Sequence, residues 1–466
     1  MESSKKPNIL FIMADQLRQD ALGCTGGIVK TPNIDSIAGA GVVFNNCVTN
    51  APVCIPARVS LATGLYPHNN GVWTNFKYTL SEDSDTWMKE IRNLGYRTSL
   101  FGKTHLHPHR GDLRQREYLL HAYGLDDVNE IAGPRASTRS MSHMTVEWED
   151  KGLWEPYKKD LADRFRTMPY IARPSTLPLE YYADVYVGQT AKKYLEKYDR
   201  EEPWFCWVSF GGPHEPWDAP EPYASMYDPE TMPDPLKFSE KSKAIDNGYL
   251  RQRLDESSPL SSKDIKSMRA NYAGNVTLID DQIGEILSTI RSRGELDNTV
   301  IVLTSDHGEM NGDYGLLYKQ IFLNSSVRVP LIIRTPETAY SNRVNNQSEA
   351  LVEMFDIGPT LVELAGGRIE YKNFATSICP VLTSEKASCR DYVISEIQNE
   401  IMIMNHDWKM VLNKEGQPYL LFDLKNDPNE TMNLVGAEKV KSIEESLSFL
   451  ILRKLLECCN NLNGND

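Results

Sequence analysis

The segment NYAGNVTLIDDQIGEILSTIRSRGELDNTVIVLTSDHGEM, residues 271–310, predicts a helix followed by a buried strand. Apolar residues recur at helical spacing through its first half: Ala273, Val276, Ile279, Ile283, Ile286, Leu287 and Ile290. Gly294 then ends the helix, and the β-branched run Thr299–Thr304 is typical of a strand. Asp306 and His307 follow at the carboxyl end of that strand. A helix that leads into a strand in this way is a unit of a doubly wound α/β sheet.

Four more short apolar runs have the character of buried parallel strands. They are NILFIMA (8–14), YRTSLFG (96–102), WFCWVSF (204–210) and VPLIIRT (329–335). We therefore expect a large, doubly wound, mostly parallel sheet flanked by helices, and each strand is expected to present a functional residue at its carboxyl end. Ligands of such sheets gather outside the carboxyl ends of the strands, so Asp15 and Asp306 are predicted to meet there.

The rest of the chain divides into rim segments and a C-terminal unit. Residues 106–200 and 218–260 are charged, aromatic and proline-containing, which predicts long insertions on the ligand-facing rim. Further on, alternating strand-like runs and an amphipathic helix at 436–456 predict a small α+β subdomain with a short antiparallel sheet. The predicted domains are a catalytic α/β domain at 1–370 and a C-terminal subdomain at 371–466.

Composition limits the classes of partner. The formal net charge of -14 argues against a general binder of nucleic acid or of an anionic membrane, because such proteins need an excess of Lys and Arg. No window approaches the ~18 apolar residues of a membrane span, and the apolar run from Ile9 to Ala14 is too short for a signal peptide. The chain as written is therefore expected in the cytoplasm, or in the periplasm or outside the cell if a leader was removed. The eight cysteines show neither zinc spacing nor a disulfide framework.

A second candidate site begins at Cys54, in the stretch CIPAR. If Pro56 occupies the first turn of a helix that ends at Gly64, Cys54 lies at the positive end of the helix dipole. Arg58 follows one turn later on the same face. This placement stabilises negative charge on the group at position 54, or on an anion bound to it. The alternative is a buried structural cysteine beside a surface arginine.

Asp15, Gln16, Asp306 and His307 form the other candidate cluster. Carboxylate and amide oxygens with one imidazole suit a divalent cation such as Ca²⁺, Mg²⁺ or Mn²⁺ better than a thiolate-bound zinc. Taken alone, each aspartate could instead cap a helix, and SDHGE could be a turn.

The motifs together resemble those of the type I, formylglycine-dependent sulfatases of the alkaline phosphatase superfamily. Residues Cys54 to Arg58 satisfy the C-x-P-x-R signature, and CIPARVSLATGLYPHNNGV resembles the family's core motif. Further matches occur in the same order: NILFIMADQLR, KTPNIDSIAGAGVVFNN, GYRTSLFGKTHL, SFGGPHEP, LIDDQIGEILSTI, NTVIVLTSDHGEMNGDYGLLYK, VRVPLIIRTP, FDIGPTLVELAG and LFDLKNDPNETMNL. The likeness covers residues 7–434, apart from about 106–200 and 218–260.

The resemblance implies a sulfuric ester hydrolase in which a maturation enzyme oxidises Cys54 to formylglycine (3-oxoalanine). One hydroxyl of its hydrate would attack the sulfur of a sulfate monoester, and the other would then expel sulfate. The implied metal ligands are Asp15, Gln16, Cys54, Asp306 and His307. The implied catalytic residues are Cys54, Arg58 as its partner, Lys103 and Lys319 as sulfate clamps, His105 as a hydrogen-bonding partner of formylglycine, and His214 as general acid.

Two departures from the family pattern keep alternatives open. Many members carry Asp at the position of Gln16 and Asn at the position of His307. The neutral ligands lower the charge of the site and weaken the case for Ca²⁺ over Mn²⁺, so Ca²⁺ is the first expectation for the metal, with Mn²⁺ or Mg²⁺ as alternatives. An Asp-His pair also occurs in relatives that hydrolyse phosphonate monoesters and phosphodiesters, which is the alternative activity. A third interpretation is an inactive protein that binds sulfated ligands, if Cys54 is not converted.

The expected substrate is a small-molecule or oligosaccharide sulfate ester, and a sulfated carbohydrate is favoured. Aromatic rim residues with basic neighbours suit sugar stacking and contacts to further anions. The residues concerned are Trp148, Trp154, Tyr157, Trp217, His107, His109 and Arg110. The alternative is that the aromatic residues serve only in packing.

Overall fold

The computed structural model of the protein describes residues 6–76, 78–166, 171–336, 347–383 and 387–463. Within these ranges, eight strands form the central sheet: β1 (Asn8–Asp15), β2 (Val42–Val48), β3 (Arg97–Gly102), β4 (Asp127–Glu130), β5 (Trp204–Pro213), β6 (Thr299–Thr304), β7 (Leu331–Arg334) and β8 (Gln347–Glu353). Their order across the sheet is β8-β2-β7-β6-β1-β5-β3-β4. All neighbours are parallel except β7, which runs antiparallel to both β2 and β6.

Helices cover both faces of this sheet. Apart from 3₁₀ turns, the described helices are α1 (Pro32–Gly39), α2 (Cys54–Thr63), α3 (Pro67–Asn70), α4 (Trp87–Asn93), α5 (Glu117–Ala122), α6 (His143–Asp150), α7 (Trp154–Arg166), α8 (Ala183–Lys197), α9 (Gly248–Glu256), α10 (Ser262–Ser292), α11 (Asn324–Val327), α12 (Ile357–Leu364), α13 (Cys379–Leu382) and α14 (Lys441–Asn463). The prediction of a doubly wound, mostly parallel sheet is confirmed.

Strand β1 shows why the central strands read as continuous apolar runs. Its alternate residues Leu10 and Ile12 pack with α1, α8 and α10 on one face, whereas Ile9 and Phe11 pack with α2, α4 and α12 on the other. All four side chains are fully buried. Because helices cover both faces, neither set of alternate positions can be polar, and the usual alternation of a half-exposed strand disappears.

A second sheet follows the central one in the chain. It is an antiparallel meander of β9 (Val393–Ile397), β10 (Glu400–Met404), β11 (Trp408–Leu412) and β12 (Pro418–Asp423), against which α14 packs Leu447 and Ile451. The predicted C-terminal antiparallel sheet is thereby confirmed. An ion pair links this second sheet to the helices that cover the central sheet. Arg390, just before β9, binds Asp356, just before α12, at 2.5 Å. The division of the chain into domains at residue 370 stays a prediction.

The expectation for strand β7 is wrong, because this strand runs in the opposite direction to its neighbours. The run VPLIIRT was expected to present a functional residue at the same edge as Asp15, but Leu331 pairs with Thr304 at the carboxyl end of β6 and Arg334 pairs with Ile301 further back. Arg334 therefore points toward the opposite edge, where it donates hydrogen bonds to the carbonyls of Leu296 and Thr299. Its role is structural.

The predicted rim insertion at 106–200 also contains regular structure. Strand β4 extends the central sheet beside β3, and α6, α7 and α8 lie in the same stretch. Trp148, Trp154 and Tyr157 belong to the hydrophobic core, where the indole nitrogen of Trp148 donates to the carbonyl of Tyr181 at 2.9 Å. Their burial supports packing rather than sugar stacking. Among the described residues, no helix combines the length and apolar character required to traverse a bilayer.

Candidate active site

Four side chains from three distant parts of the chain converge at the carboxyl edge of the central sheet. Asp15 ends β1, Asp306 and His307 follow β6, and Cys54 begins α2. One potential ligand atom of each residue lies within 4.8 Å of those of the other three, and all four residues are buried. The edge of adjacent parallel strands thus brings together residues that sequence separates by nearly three hundred positions.

Cys54 occupies the first turn of α2, as the sequence predicts. Val53 is extended, and its carbonyl accepts the first helical hydrogen bond from Ala57 at 3.0 Å. Burial alone would raise the pKa of the Cys54 thiol, but Lys103, Lys319 and His307 hold the pKa well below its usual range. The helix N-terminus favours the same charge. This position is therefore built for an anion or for an oxygen that carries developing negative charge.

Arg58 joins the two aspartates from within α2. Its guanidinium is fully buried and donates to Asp306 Oδ2 at 2.7 Å and to Asp15 Oδ2 at 3.2 Å. Its third nitrogen donates to the carbonyl of Lys103 at 2.6 Å. Despite burial, which raises it, the pKa of Asp15 is held well below its usual range, chiefly by Lys103. Both aspartates are thus held in fixed orientations.

A metal ion fits the four-residue cluster. Asp15 Oδ1 is buried and has no hydrogen-bond partner among the described residues, which leaves it available as a ligand. Burial lowers the pKa of His307, but Asp306 and Cys54 outweigh it and raise that pKa to about 9, so a bound cation would have to displace a proton from this imidazole. The carboxylate oxygens of Asp15 and Asp306 with the imidazole of His307 match a divalent cation of the Ca²⁺, Mg²⁺ and Mn²⁺ group, whereas the fourth member of the cluster, the Cys54 thiol, is a soft sulfur ligand as it stands.

Gln16 lies beside this cluster with a positive φ of 68°. Its backbone N–H donates to Asp306 Oδ1 at 3.1 Å. Its side-chain amide donates to Glu215 at 3.0 Å and to Glu309, and its amide oxygen accepts from Lys319. The side chain is therefore fully engaged by these three neighbours, and a role of Gln16 as a metal ligand stays a prediction.

Two lysines and a histidine border position 54. Lys103 follows β3 and contacts Asp15, while Lys319 is buried between Gln16 and His214. His105 is half-buried, but its Nδ1 is buried and unpartnered in the described part of the chain, and desolvation and Lys103 lower its pKa to about 3. A neutral imidazole next to two ammonium groups can orient an oxygen without adding a further charge.

His214 completes the set on the side that faces Lys319. Its Nδ1 lies 2.7 Å from the carbonyl oxygen of Glu215, which places the proton on Nδ1. Its Nε2 then accepts a hydrogen bond from the Lys319 ammonium at 2.7 Å. Every catalytic residue predicted from the sequence is therefore in or against this one site.

Three buried glutamates are functional candidates that the sequence analysis did not select. His214, Lys319 and Arg135 hold the pKa of Glu215 at about 2 against burial, whereas burial and Glu215 raise the pKa of Glu309 to about 7. Both lie inside quoted motifs, PHEP and SDHGE, where they could have been found. Glu130 has no such signal; it accepts hydrogen bonds from His107 and His109 at 2.8 and 3.1 Å.

Comparison with known proteins agrees with this geometry. A family model described as Sulfatase matches residues 7–367. The chain belongs to the sulfatase family. A second model, described as N-sulphoglucosamine sulphohydrolase, C-terminal, matches residues 312–456. Members of the family generally use a metal ion and formylglycine. The family match and the relatives that are named sulfatases identify this protein as a sulfuric ester hydrolase.

Individual relatives span nearly the whole chain. An arylsulfatase of Clostridium perfringens is 29% identical over 97% of this sulfatase and 94% of its own length. An N-acetylglucosamine-6-O-sulfatase of Bacteroides thetaiotaomicron is 25% identical over 96% and 86% of the two chains. The phosphonate monoester hydrolase of Agrobacterium radiobacter superposes with a TM-score of 0.79, at 26% identity over 97% and 96%.

Proposed function

We propose that this sulfatase hydrolyses a sulfate monoester carried on a carbohydrate, with Cys54 converted to formylglycine by a maturation enzyme. The observation that carries the proposal is the position of Cys54 at a helix N-terminus, inside the cluster of Asp15, Asp306 and His307 and beside two lysines. A substrate sulfate that approaches residue 54 would enter a site already polarised for negative charge.

The proposed metal ligands are Asp15, Gln16, residue 54, Asp306 and His307, with Ca²⁺ as the expected ion and Mn²⁺ or Mg²⁺ as alternatives. The bound ion and the converted side chain would together supply the nucleophilic oxygen that attacks sulfur. Arg58 would hold Asp15 and Asp306 in place from behind and stabilise negative charge at position 54. These side chains would therefore already be in position when the substrate binds.

The cations on either side of residue 54 would position the sulfate group. Lys103 and Lys319 are proposed to bind its non-bridging oxygens, on which negative charge is retained as the ester bond breaks. His105, whose lowered pKa keeps it neutral, would hydrogen-bond the residue 54 side chain. Fixing these donors in a buried site avoids the cost of reorganising solvent during the reaction.

His214 is the proposed proton donor to the leaving alcohol. Nε2 of His214 receives a hydrogen bond from the Lys319 ammonium, so a proton lies between the two nitrogens at 2.7 Å. The Nδ1–H bond to the carbonyl of Glu215 fixes the ring orientation. When Lys319 turns to the sulfate with its own protons, Nε2 would take up a proton from solvent, and the resulting imidazolium would donate that proton to the ester oxygen of the leaving alcohol.

A carbohydrate substrate is supported by the N-acetylglucosamine-6-O-sulfatase named among the relatives. The alternative activity, phosphonate monoester or phosphodiester hydrolysis, is supported by the structural likeness to a phosphonate monoester hydrolase. Sulfate and phosphonate esters share tetrahedral geometry, so the same clamps would accept either. The third candidate, a binding protein without turnover, applies only if Cys54 is left unconverted.

The test is a turnover screen of sulfated sugars, aryl sulfates and aryl phosphonates, with the mass of the peptide around residue 54 measured on the same batch. We expect formylglycine at position 54 and the highest kcat/KM on a sulfated sugar. Faster turnover of phosphonates would establish the alternative activity. A converted residue 54 with no turnover of any sulfate ester would contradict the proposal, and an unconverted, inactive batch from a host with the maturation enzyme would favour the binding protein.

A further inference from the structure

A half-exposed guanidinium lies at the entrance to the site. Arg135 is carried by the loop that follows β4, and its side chain is 43% exposed. One of its terminal nitrogens binds Glu215 Oε1 at 2.8 Å. The loop begins at the carboxyl edge of the central sheet, the edge that holds Asp15 and Asp306.

Two contacts place this loop against the proposed sulfate clamps. A Cβ added to Gly133, two residues before Arg135, would lie 3.4 Å from the Lys103 ammonium. Glu215 binds Arg135 through one oxygen, while its other oxygen accepts from Gln16 at 3.0 Å and lies 3.7 Å from the Lys319 ammonium. The carboxylate of Glu215 therefore lies between Arg135 on one side and the Gln16 amide and the Lys319 ammonium on the other, and Arg135 is on the side that faces solvent.

The guanidinium is held in a defined orientation. Its central carbon lies 4.0 Å from the centre of the Phe165 ring and 5.5 Å from that of Tyr318, the residue before Lys319. Stacked guanidinium groups lose little further freedom when they bind an anion, and their planar fork matches carboxylate and sulfate oxygens. An exposed cation held by aromatic rings at the entrance, in a chain with a net charge of -14, is suited to select an anionic substrate.

We propose that Arg135 is a specificity-determining residue that binds a second anionic group of the substrate, a carboxylate or a further sulfate. The proposal rests on the proposed function, and it narrows the substrate class to sulfate esters that carry at least two negative charges. If Arg135 served only to orient Glu215, its loss would affect all substrates equally.

The experiment compares substrates that differ in one anionic group. One pair is N-acetylglucosamine 6-sulfate and N-sulfoglucosamine 6-sulfate; the other is 4-nitrophenyl sulfate and 3-carboxy-4-nitrophenyl sulfate. We expect the wild-type kcat/KM to be higher for the doubly charged member of at least one pair. The pair that shows this preference identifies whether the second anionic group bound by Arg135 is a sulfate or a carboxylate. Arg135→Gln should reduce that preference by about tenfold, the factor that corresponds to ~1.4 kcal/mol, and 0.5 M NaCl should weaken it by screening.

Arg97→Gln is the matched control, because Arg97 is a partly exposed arginine paired with Asp127 at the amino end of β3, away from the site. It should leave the preference intact. Equal losses on both members of each pair in Arg135→Gln, or a wild type without a preference, would overturn the proposal. If Arg135→Gln does not fold, Arg135→Lys should still reduce the preference, since the planar fork is lost.

A binding measurement separates this inference from the proposed function. In the Cys54→Ala variant, calorimetry should show tighter binding of the doubly charged member, and adding Arg135→Gln should remove the difference. If the doubly charged member binds more tightly but the wild type turns over no substrate, the proposed role of Arg135 is supported and the proposed hydrolysis is contradicted. If the wild type turns over a substrate but shows no such preference, the proposed hydrolysis is supported and the role of Arg135 is contradicted.

Discussion

The sulfur of Cys54 lies 3.1 Å from Nε2 of His307, although 253 positions separate the two residues in the chain. The contact joins the N-terminus of α2 to the end of β6, and Asp15 and Asp306 lie in the same cluster. A group on residue 54 therefore meets the proposed metal ligands and the neighbouring cations at once, which explains why a cysteine stands at this helix start with Arg58 one turn further on.

Replacing Cys54 by alanine should abolish turnover while preserving the fold. The proposed nucleophile is built on this side chain, and removal of a nucleophile costs at least ~10³-fold in kcat. Sulfate ester hydrolysis and circular dichroism would be measured together. Cys206→Ala is the control, because Cys206 is a buried cysteine of β5 outside the site. Activity of Cys54→Ala within about tenfold of wild type would contradict the assignment.

Replacing His214 by alanine should harm substrates with poor leaving groups most. Proton donation contributes about 10²–10⁴-fold where the leaving alcohol is basic, and little where it leaves readily as an anion. The measurement is kcat/KM on a sugar sulfate and on 4-nitrophenyl sulfate. His143→Ala, at an exposed histidine paired with Glu117, should change neither value. Losses of equal size on both substrates would exclude His214 as the proton donor.

Chelation should lower both the activity and the melting temperature. An ion that binds only the folded state stabilises it by about 2.7 kcal/mol at a hundred times its Kd. We expect ethylenediaminetetraacetate to lower Tm of the wild type and to have no such effect on Asp306→Asn, which lacks a proposed ligand. Asp255→Asn, at an exposed aspartate of α9, should retain the full response. An unchanged Tm in the wild type would argue against a resident metal.

Asp184 should make the stability fall as pH rises. It is buried at the start of α8, where burial raises its pKa from 3.8 to about 7 against hydrogen bonds from Gly212 and Gly211. Between these values the folded protein keeps a proton that the unfolded chain has lost, so the free energy of unfolding decreases from about pH 4 to about pH 7. Asp184→Asn removes this effect.

The variant should be tested by urea unfolding at pH 5 and pH 8. Relative to wild type, Asp184→Asn should gain about 2 kcal/mol more stability at pH 8 than at pH 5. Asn275 Oδ1, buried and unpartnered among the described residues, can accept from the new amide. Asp199→Asn, at an exposed position, serves as control and should show no such difference. The same result for both variants would refute the role of Asp184.

The central fold and the site could be predicted where local patterns carry the information. Strands β1 and β6 are continuous apolar runs because both of their faces are covered. β1 ends in Asp15, and Asp306 lies two residues beyond the end of β6, at the same ligand-binding edge. Gly64 ends α2 with a φ of 72°, as its glycine indicates. These features depend on neighbours within a few residues, so a single sequence suffices to find them.

Other features depend on partners that the sequence does not reveal. Strand β4 is short and partly exposed, and DVNE has no apolar run to mark it. The direction of β7 is set by where the loop after Thr304 returns to the sheet, which the apolar run Leu331–Arg334 does not encode. The burial of Trp148 and Trp154 follows from α6 and α7 folding back over the sheet, so aromatic residues in a polar stretch were not evidence of exposure.

The strand order has a consequence for when Cys54 can be modified. Cys54 is 1% exposed in the folded chain, and the wall of its site is complete only after His307, 253 residues later, has been synthesised. At about 5–20 residues per second on the ribosome, that interval is roughly 13–50 s. Throughout it β1 lacks its neighbour β6, so the wall around the thiol is incomplete. If a maturation enzyme converts Cys54 as proposed, we expect faster synthesis to give a smaller converted fraction.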